Sequence, residues 1–201
     1  MEAMAEMSDL SSLANRLMRS RRSTFTEQFV PGKRVPEETV RQILENANWA
    51  PTHKHTEPWR FIVFSGAGLE KLAKFQASVY RTHAGSQFRQ EKYQKLLDAP
   101  LRCSHIIALC LKRSPEAVIP EIEEIAAVAC AGENIYLSVT AFGLGGYWST
   151  GGITYYPEAK AFLGLSDSDT VMGFFHLGYI NIASTAGTRG PVEEKTTWIN
   201  E

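Results

Sequence analysis

The sequence has few cysteines and no excess of charge of one sign. Three cysteines occur in 201 residues, at positions 103, 110 and 130, and none forms a CxxC pair. This spacing argues against a disulfide framework and favours free, buried thiols in a reducing compartment, so we expect a cytoplasmic protein. Lysine and arginine number 21 against 22 aspartate and glutamate. Because no basic excess is available, we expect neither nucleic acid nor a membrane as partner, and any anion site must be local.

Long apolar runs and several catalytic motifs are missing too. The first 20 residues hold no continuous apolar segment, and Glu133 and Asn134 interrupt the most apolar stretch, so neither export nor a membrane span is predicted. The sequence contains no GxSxG, HExxH or Walker motif, so no motif supports a hydrolase or kinase function. GLGGYW, which begins at Gly143, has Trp148 where a dinucleotide fingerprint needs its third glycine, which argues against a Rossmann site.

Hydrophobic periodicity predicts one α+β domain over residues 1–201, with residues 1–7 as a candidate disordered segment. The same pattern predicts a long, mostly buried helix over 120–142 at the centre of the domain, with acidic residues in its first turn. The tail over 181–201 shows little hydrophobic periodicity, so we expect it to pack against another surface instead of folding alone. The predicted helices lie behind Ser8 and over 36–49, 69–76, 87–98, 120–142 and 157–163, and the predicted strands over 60–64, 105–111 and 171–179.

A local cationic group follows the first helix. Arg21, Arg22 and Ser23 place two guanidinium groups and a hydroxyl side by side, a set that can hold a phosphate through charge-assisted hydrogen bonds. The alternative is that these basic residues only satisfy the dipole at the helix C-terminus.

Three further segments give the sequence a family resemblance. Residues 50–61 read APTHKHTEPWRF, residues 143–152 read GLGGYWSTGG, and residues 173–179 read GFFHLGY. In this order after Arg-Arg-Ser, they resemble the nitroreductase family of FMN-dependent oxidoreductases over roughly residues 8–198. The Thr-His-Lys order at 52–54 and the short length are similar to a minimal branch of that family.

The resemblance implies a nitroreductase-like fold: a central mixed or antiparallel sheet, flanking helices, a long buried central helix, and a homodimer with two FMN sites at the subunit interface. It implies that Arg21, Arg22 and Ser23 contact the FMN phosphate and ribityl chain, with Arg189 helping to hold the phosphate. Several cationic partners suit a phosphate that carries nearly two negative charges.

The ring of the flavin is expected to meet residues of both subunits. From the other subunit the resemblance brings His53, Lys54 and Glu57 to the ring or ribityl chain. Trp148, Ser149 and Thr150 are expected to cover the face or edge of the isoalloxazine, with backbone amides of a glycine-flanked turn bonding N5 and O4. A cation at Lys54 would stabilise negative charge on the reduced ring.

Each of these residues has a simpler alternative. His53 and His55 could be solvated loop histidines, and as a metal pair they lack a third ligand nearby. Tyr147 and Trp148 could belong to the core or to a dimer interface, and Lys54 could be a surface charge. Trp59 is assigned to packing. Two departures from the family pattern, Phe25 in place of a further arginine and His55-Thr56-Glu57 before Pro-Trp, put the flavin contacts there in doubt.

The function implied by the resemblance is hydride transfer from NADH or NADPH to FMN, and then reduction of a nitro compound, quinone or similar small acceptor in a ping-pong mechanism. One alternative keeps FMN but changes its chemistry, as in relatives that cleave flavin or remove halogen. Another is a flavin-binding sensor or carrier without turnover. A third is a dimeric interaction protein that has lost the flavin, for which Phe25 and His55 are the hints.

Overall fold

The computed structural model describes residues 2–114, 116, 119–181 and 186–200, with side chains from residue 9 onwards. The α helices in these ranges are α1 (Glu2–Ser20), α2 (Glu37–Asn48), α3 (Ala67–Ala84), α4 (Gln90–Asp98), α5 (Glu121–Ala141) and α6 (Pro157–Leu163). The strands are β1 (Trp59–Ser65), β2 (His105–Leu111), β3 (Gly145–Ser149) and β4 (Thr170–Gly178). This confirms the predicted α+β class.

The four strands form one antiparallel sheet in the order β1-β2-β4-β3. Every residue of β2 is buried, as expected of a continuous apolar strand covered on both faces. One core, which includes Ile43, Val128 and Phe175, lies between the sheet and the helices α2 and α5. The second core, which includes Leu72 and Phe174, lies on the other face under α3 and α6. The sheet therefore separates two layers of helices.

The predicted central helix is present as α5, which has 21 residues and spans about 30 Å. Three glutamates lie in its first turn, where they complement the helix dipole as expected. One of them has a role that the sequence did not indicate. Glu124 is fully buried, and one of its carboxylate oxygens lies 2.6 Å from the Arg113 guanidinium at the end of β2.

The glycine-rich segment 143–152 is where the sequence prediction was wrong. A turn was expected there, but residues 145–149 form the edge strand β3. The two glycines that suggested a turn allow close packing instead: a Cβ at Gly145 would lie 3.0 Å from the Thr24 side chain, and one at Gly146 would lie 2.8 Å from the His176 carbonyl. Close backbone approach is a common reason for glycine inside a strand.

Two helices are longer than the periodicity predicted. α3 continues from Ala67 to Ala84, past the expected end at Gln76, and stops at Gly85, whose φ of 48° lies in the left-handed region. α1 begins before Ser8. The expectation that residues 1–7 are disordered stays a prediction, because Met1 lies outside the described residues and the side chains of residues 2–8 are not described.

The cysteines are all free, as predicted. Cys103 and Cys110 are buried as expected, and burial raises the pKa of each thiol to about 12. The expectation of a buried thiol is wrong for Cys130, which lies on the exposed side of α5. Trp59 packs in the core, as predicted, and its indole N–H donates to Asn48 at 2.9 Å. In the described part of the chain, no helix combines the length and apolarity that a bilayer span requires.

Candidate functional site

The cationic turn after α1 lies beside the edge strand β3. The chain leaves α1 at Ser20, and the Thr24 amide donates to the Gly146 carbonyl at 2.9 Å. A second backbone hydrogen bond, from the Val30 amide to the Tyr179 carbonyl at 2.8 Å, ties the same segment to the end of β4. The structure therefore brings together two groups that the sequence placed far apart, residues 21–23 and residues 148–150.

Tyr136 of α5 links these two groups directly. Its hydroxyl lies 3.2 Å from the Ser23 hydroxyl and accepts a hydrogen bond from the Trp148 amide at 2.7 Å. Its ring lies under the Arg21 guanidinium, with the Cζ atom 5.0 Å from the ring centroid. Sequence reasoning counted Tyr136 only as an apolar position on the long helix. The one signal that could have found it is its hydroxyl, because a buried phenol usually has a hydrogen-bond partner.

The three candidate phosphate-binding arginines differ in their surroundings. Arg21 is partly buried, with Nε 4.0 Å from the Glu133 carboxylate. Arg22 donates to the Arg19 and Arg21 carbonyls, each at 2.7 Å. The tail passes against its guanidinium, because a Cβ at Gly187 would lie 2.6 Å from Nη2. Arg189 is two residues further along that tail and is exposed, with Nη1 donating to the Thr188 carbonyl at 2.7 Å. The fold thus carries the tail to the cationic turn.

The loop that carries His53, Lys54 and Glu57 is held in an uncommon backbone conformation. Lys54, His55 and Glu57 have φ values of 52°, 53° and 42°, in the left-handed region that favours glycine. Such residues cost on the order of 1–3 kcal/mol each and are concentrated at functional sites. Thr52 supports the loop, since its hydroxyl accepts a hydrogen bond from the Glu57 amide at 3.2 Å. The strain is consistent with a binding role but does not identify a ligand.

His53 anchors this loop to the first turn of α5. Its Nδ1 atom pairs with the Glu123 carboxylate. Glu123 and Tyr136 are separated along α5 by about 20 Å, since a helix rises about 1.5 Å per residue. One chain therefore keeps its strained loop well away from its own cationic turn. The expectation that the loop serves the site of another subunit agrees with this distance and stays a prediction.

The Trp148 ring is engaged in internal packing, which was the alternative to covering a flavin. Its Nε1 donates to the Met172 carbonyl at 3.0 Å, and a Cβ at Gly132 of α5 would lie 2.8 Å from its Cζ3 atom. Ser149 is half-buried, and Thr150 is exposed just past the end of β3. Because the Trp148 amide already donates to Tyr136, the parts of this segment that remain open to a ligand are the Ser149 and Thr150 positions.

Phe25 and His55, where the sequence departs from the family pattern, lie in different parts of the fold. The Phe25 ring packs against Tyr147, with centroids 5.0 Å apart, so Phe25 contacts the face of β3 opposite to Trp148. His55 lies in the strained loop. Among the described residues, no cluster of three or more histidine, cysteine or acidic side chains is arranged to hold a metal ion.

Fold and site together define a class of protein. An antiparallel sheet on a long buried helix presents a cationic turn beside an edge strand, and the loop with the remaining candidate groups is attached to the first turn of that helix. This is an α+β domain with a cationic turn at one edge of its sheet.

The family is shown by a sequence model. The model of the nitroreductase family matches residues 18–179, so the chain belongs to the nitroreductase family. The chain is 28% identical over 187 residues to YfhC of Bacillus subtilis, covering 92% of this chain and 94% of that protein. It is 27% identical over 154 residues to YdjA of Escherichia coli, covering 77% and 82%. Both carry the name "Putative NAD(P)H nitroreductase". Iodotyrosine deiodinase of Danio rerio is 38% identical over 94 residues, which is 44% of this chain and 31% of that protein.

Solved structures share the fold over nearly the whole chain. A nitroreductase-like family protein from Bacillus cereus has a TM-score of 0.78 and 28% identity, covering 93% of this chain and 96% of that one. The FMN-dependent nitroreductase NfnB from Mycobacterium smegmatis, solved with NADPH, has a TM-score of 0.71 and 20% identity, covering 95% and 100%. These likenesses confirm the predicted nitroreductase-like fold.

Proposed function

We propose that the protein is an FMN-dependent oxidoreductase that takes hydride from NADH or NADPH and reduces nitro compounds, quinones or similar small acceptors. The observation that carries the proposal is the convergence of Arg21, Arg22 and Ser23 on the edge strand β3 within a nitroreductase fold. The names of YfhC and YdjA support NADH or NADPH as the electron donor, and the name of NfnB supports FMN as the cofactor.

The residues of the cationic turn fit the phosphate end of FMN. A guanidinium group offers five N–H donors in a fixed fork that matches phosphate oxygens. Arg21 and Arg22 are adjacent, the tail brings Arg189 towards them, and the Ser23 hydroxyl adds a neutral donor. In the described part of the chain, the ion pair that competes for the Arg21 guanidinium is a long one, 4.0 Å to Glu133.

Bound FMN would supply hydride acceptance and release, and the protein would hold the ring and shape its electrostatic surroundings. Ser149, the last residue of β3, and Thr150 after it would meet the ring edge. In the strained loop, His53 is oriented by Glu123, and Lys54 supplies a cation that stabilises negative charge developing on a ring. Glu57 completes the set of loop groups assigned to the site.

A homodimer is part of the proposal, because each chain carries its two sets of candidate residues about 20 Å apart along α5. Exposed apolar side chains support an extensive interface. Leu10 and Met18 of α1 are exposed by 68% and 56%, and Trp198 and Ile199 of the tail by 80% and 87%. A contiguous apolar patch marks an interaction surface, and α1 and the tail would offer these side chains to a second chain. The free cysteines support a reducing compartment such as the cytoplasm.

The first test is a visible absorbance spectrum of the purified protein, with added FMN where needed, followed by anaerobic NADH and then NADPH. We expect flavin bands that bleach with at least one nicotinamide. Bands that persist with both would replace the reductase by a flavin sensor or carrier. If no bands appear even with added FMN, the flavoenzyme proposal is wrong.

A matched pair of double variants tests the site. Replacing Arg21 and Arg22 with alanine should weaken FMN binding at least about 100-fold, since each charge-assisted hydrogen bond contributes about 1.5–3 kcal/mol. The control replaces Arg16 and Arg19, two exposed arginines of the preceding helix α1, and removes the same charge. Equal flavin retention in both double variants would exclude Arg21 and Arg22 from the site.

One second candidate has a specific observation in its favour. The partial identity with iodotyrosine deiodinase suggests reductive dehalogenation by the same bound flavin. Halide release from a halogenated phenol, measured beside nitro-compound and quinone reduction, separates the two. Faster halide release than reduction of every nitro compound and quinone offered would favour the dehalogenase.

A further inference from the structure

A separate pocket of about 280 Å³ lies on the face of the sheet that α5 does not cover. Its walls come from α3, α4, the segment after β3, and the strands β3 and β4. Side chains alternate along a strand, so Tyr147 and Ser149 face this pocket while Trp148, between them, packs against α5. The pocket is therefore on the opposite side of β3 from Tyr136 and has a different set of lining residues from the cationic turn.

The interior of the pocket is apolar with a few neutral polar groups. Leu72, Leu96 and Phe174 contribute apolar walls. The Tyr147 ring stacks on His176, with centroids 4.5 Å apart and planes 7° apart. The hydroxyls of Tyr147 and Ser149 make no hydrogen bond to any described residue, so two donors are available to a ligand. This composition, apolar walls with a few unsatisfied polar groups, is typical of small-molecule sites.

Titration does not change the character of this interior near neutral pH. Burial raises the pKa of the Tyr147 phenol to about 12, so its hydroxyl stays a neutral donor. Burial also lowers the pKa of the neighbouring His176 to about 4, which keeps its imidazole uncharged. A ligand charge must therefore be met at the rim of the pocket and not in its interior.

The charged groups at the rim are both cationic. Lys92 and Lys95 of α4 line the pocket, and none of its described lining residues is acidic. Lys95 pairs with Glu27 at 2.9 Å. Lys92 lies over the Tyr80 ring at 4.7 Å and makes no ion pair with a described carboxylate. The rim therefore favours an anion over a cation.

We propose that this pocket binds a small aromatic anion of the carboxylate class, with its ring among Leu72, Leu96 and Phe174 and its carboxylate towards Lys92. The volume supports one ring, because about 280 Å³ is slightly below the range of about 300–1,000 Å³ that takes drug-sized ligands. The Tyr147 and Ser149 hydroxyls add donors for an acceptor atom on the ring. The pocket lies on the opposite side of β3 from Tyr136 and shares only Ser149 with the segment assigned to the flavin ring, so its ligand would be a second one, bound apart from the cationic turn.

The test titrates the purified protein with three ligands of one shape, benzoate, benzyl alcohol and benzylamine, by isothermal calorimetry and saturation-transfer NMR. We expect benzoate to bind at least tenfold more tightly than benzylamine, with benzyl alcohol between them. Equal affinities for the three ligands, or no binding of benzoate, would overturn the proposal.

Variants locate the binding. Lys92→Gln should weaken benzoate about fivefold and leave benzyl alcohol unchanged, whereas Lys74→Gln, an exposed lysine of α3 outside the pocket, should change neither. Leu96→Trp should fill the cavity and abolish binding of both. If Leu96→Trp does not fold, Tyr147→Phe takes its place, because it keeps the ring and removes one donor. Tyr147→Phe should weaken benzoate binding at least twofold. If Lys92→Gln and the folded pocket variants all bind like the parent, the pocket is not the site.

The Arg21→Ala, Arg22→Ala double variant separates this proposal from the flavin site. Benzoate binding should persist in that protein whether or not FMN is retained. Loss of benzoate binding there would assign the anion to the cationic turn and overturn the pocket proposal, without bearing on the flavin.

Discussion

The Tyr136 side chain shows how one hydroxyl can organise a site. It lies between the Ser23 hydroxyl and the Trp148 amide, while its ring supports Arg21. The Tyr136 ring also makes an edge contact with the Phe175 ring, with centroids 4.7 Å apart, and this contact holds it in place. Tyr136 thus positions side chains of the turn and the backbone of β3 without being assigned to the flavin itself.

Tyr136→Phe should lower the free energy of unfolding by about 1–3 kcal/mol, because the Trp148 amide loses its partner in a largely buried place. FMN affinity should fall as well, since Ser23 loses its anchor. Urea unfolding and flavin titration measure the two effects. The control is Tyr156→Phe, whose hydroxyl makes no hydrogen bond to a described residue. Equal effects of the two substitutions would contradict a special role for Tyr136.

Some single-residue features could be predicted from sequence and others could not. The sequence assigns Trp59 to packing, which the fold confirms, and it predicts buried thiols, which holds for Cys103 and Cys110 but not for the exposed Cys130. Glu124 was placed in a helical first turn, where glutamate is normally exposed. Its burial depends on Arg113, which only the folded chain brings to it. A partner contributed by another element leaves no local pattern in sequence.

The same limit applies to secondary structure elements. β2 and α5 carry strong patterns of their own, six consecutive apolar residues after His105 and a long apolar helix face, and the sequence predicts both. β3 has glycine at its first two positions and is a strand because it pairs with β4 and packs closely against Thr24 and His176. Tertiary pairing outweighs the local preference of glycine for turns.

The N-terminus of α5 is joined to the end of β2 by the buried pair of Glu124 and Arg113. Arg113→Met should lower the free energy of unfolding by about 3–5 kcal/mol, because it leaves a buried carboxylate without its cation. The exposed pair of Arg41 and Glu37 on α2 provides the comparison, and Arg41→Met should cost about 1 kcal/mol or less. Urea denaturation measures both substitutions.

A double substitution distinguishes charge from packing. Arg113→Met with Glu124→Met should recover most of the stability lost in Arg113→Met, since an apolar pair of similar volume often replaces a buried ion pair without loss. A double variant as unstable as the single one would mean that shape, and not the unpaired charge, causes the loss.

The stability of the whole domain should depend on pH through His176. Burial lowers the pKa of His176 from 6.5 to about 4 in the folded state, so the unfolded state binds a proton first as pH falls. Stability should therefore decrease between pH 6.5 and 4, by about 2 kcal/mol at pH 5, at 1.36 kcal/mol for each unit. Tyr147 and Cys103, which contact the imidazole, stay neutral in this range because burial raises the pKa of each to about 12.

The measurement is urea unfolding at pH 7.5 and 5.0 for the parent and for His176→Phe, which retains a flat ring against Tyr147. The variant should lose about 2 kcal/mol less than the parent on acidification. His105, whose pKa burial also lowers, contributes a loss of the same sign in both proteins and cancels in the comparison. Identical pH dependence in the two proteins would remove His176 as the cause.

Assembly of the proposed site from two chains has a direct test in mixed dimers. One copy carries Arg21→Ala and Arg22→Ala, the other carries His53→Ala and Lys54→Ala, and neither homodimer should retain FMN. In a two-fold symmetric dimer formed from both copies, one site collects all four substitutions and the other collects none. An equal mixture refolded together should therefore recover about a quarter of the parent flavin content and NAD(P)H oxidation. If each site were built within one chain, all sites would carry a defect and mixing would recover nothing. Recovery from the mixture thus requires that the cationic turn of one subunit work with the strained loop of its partner.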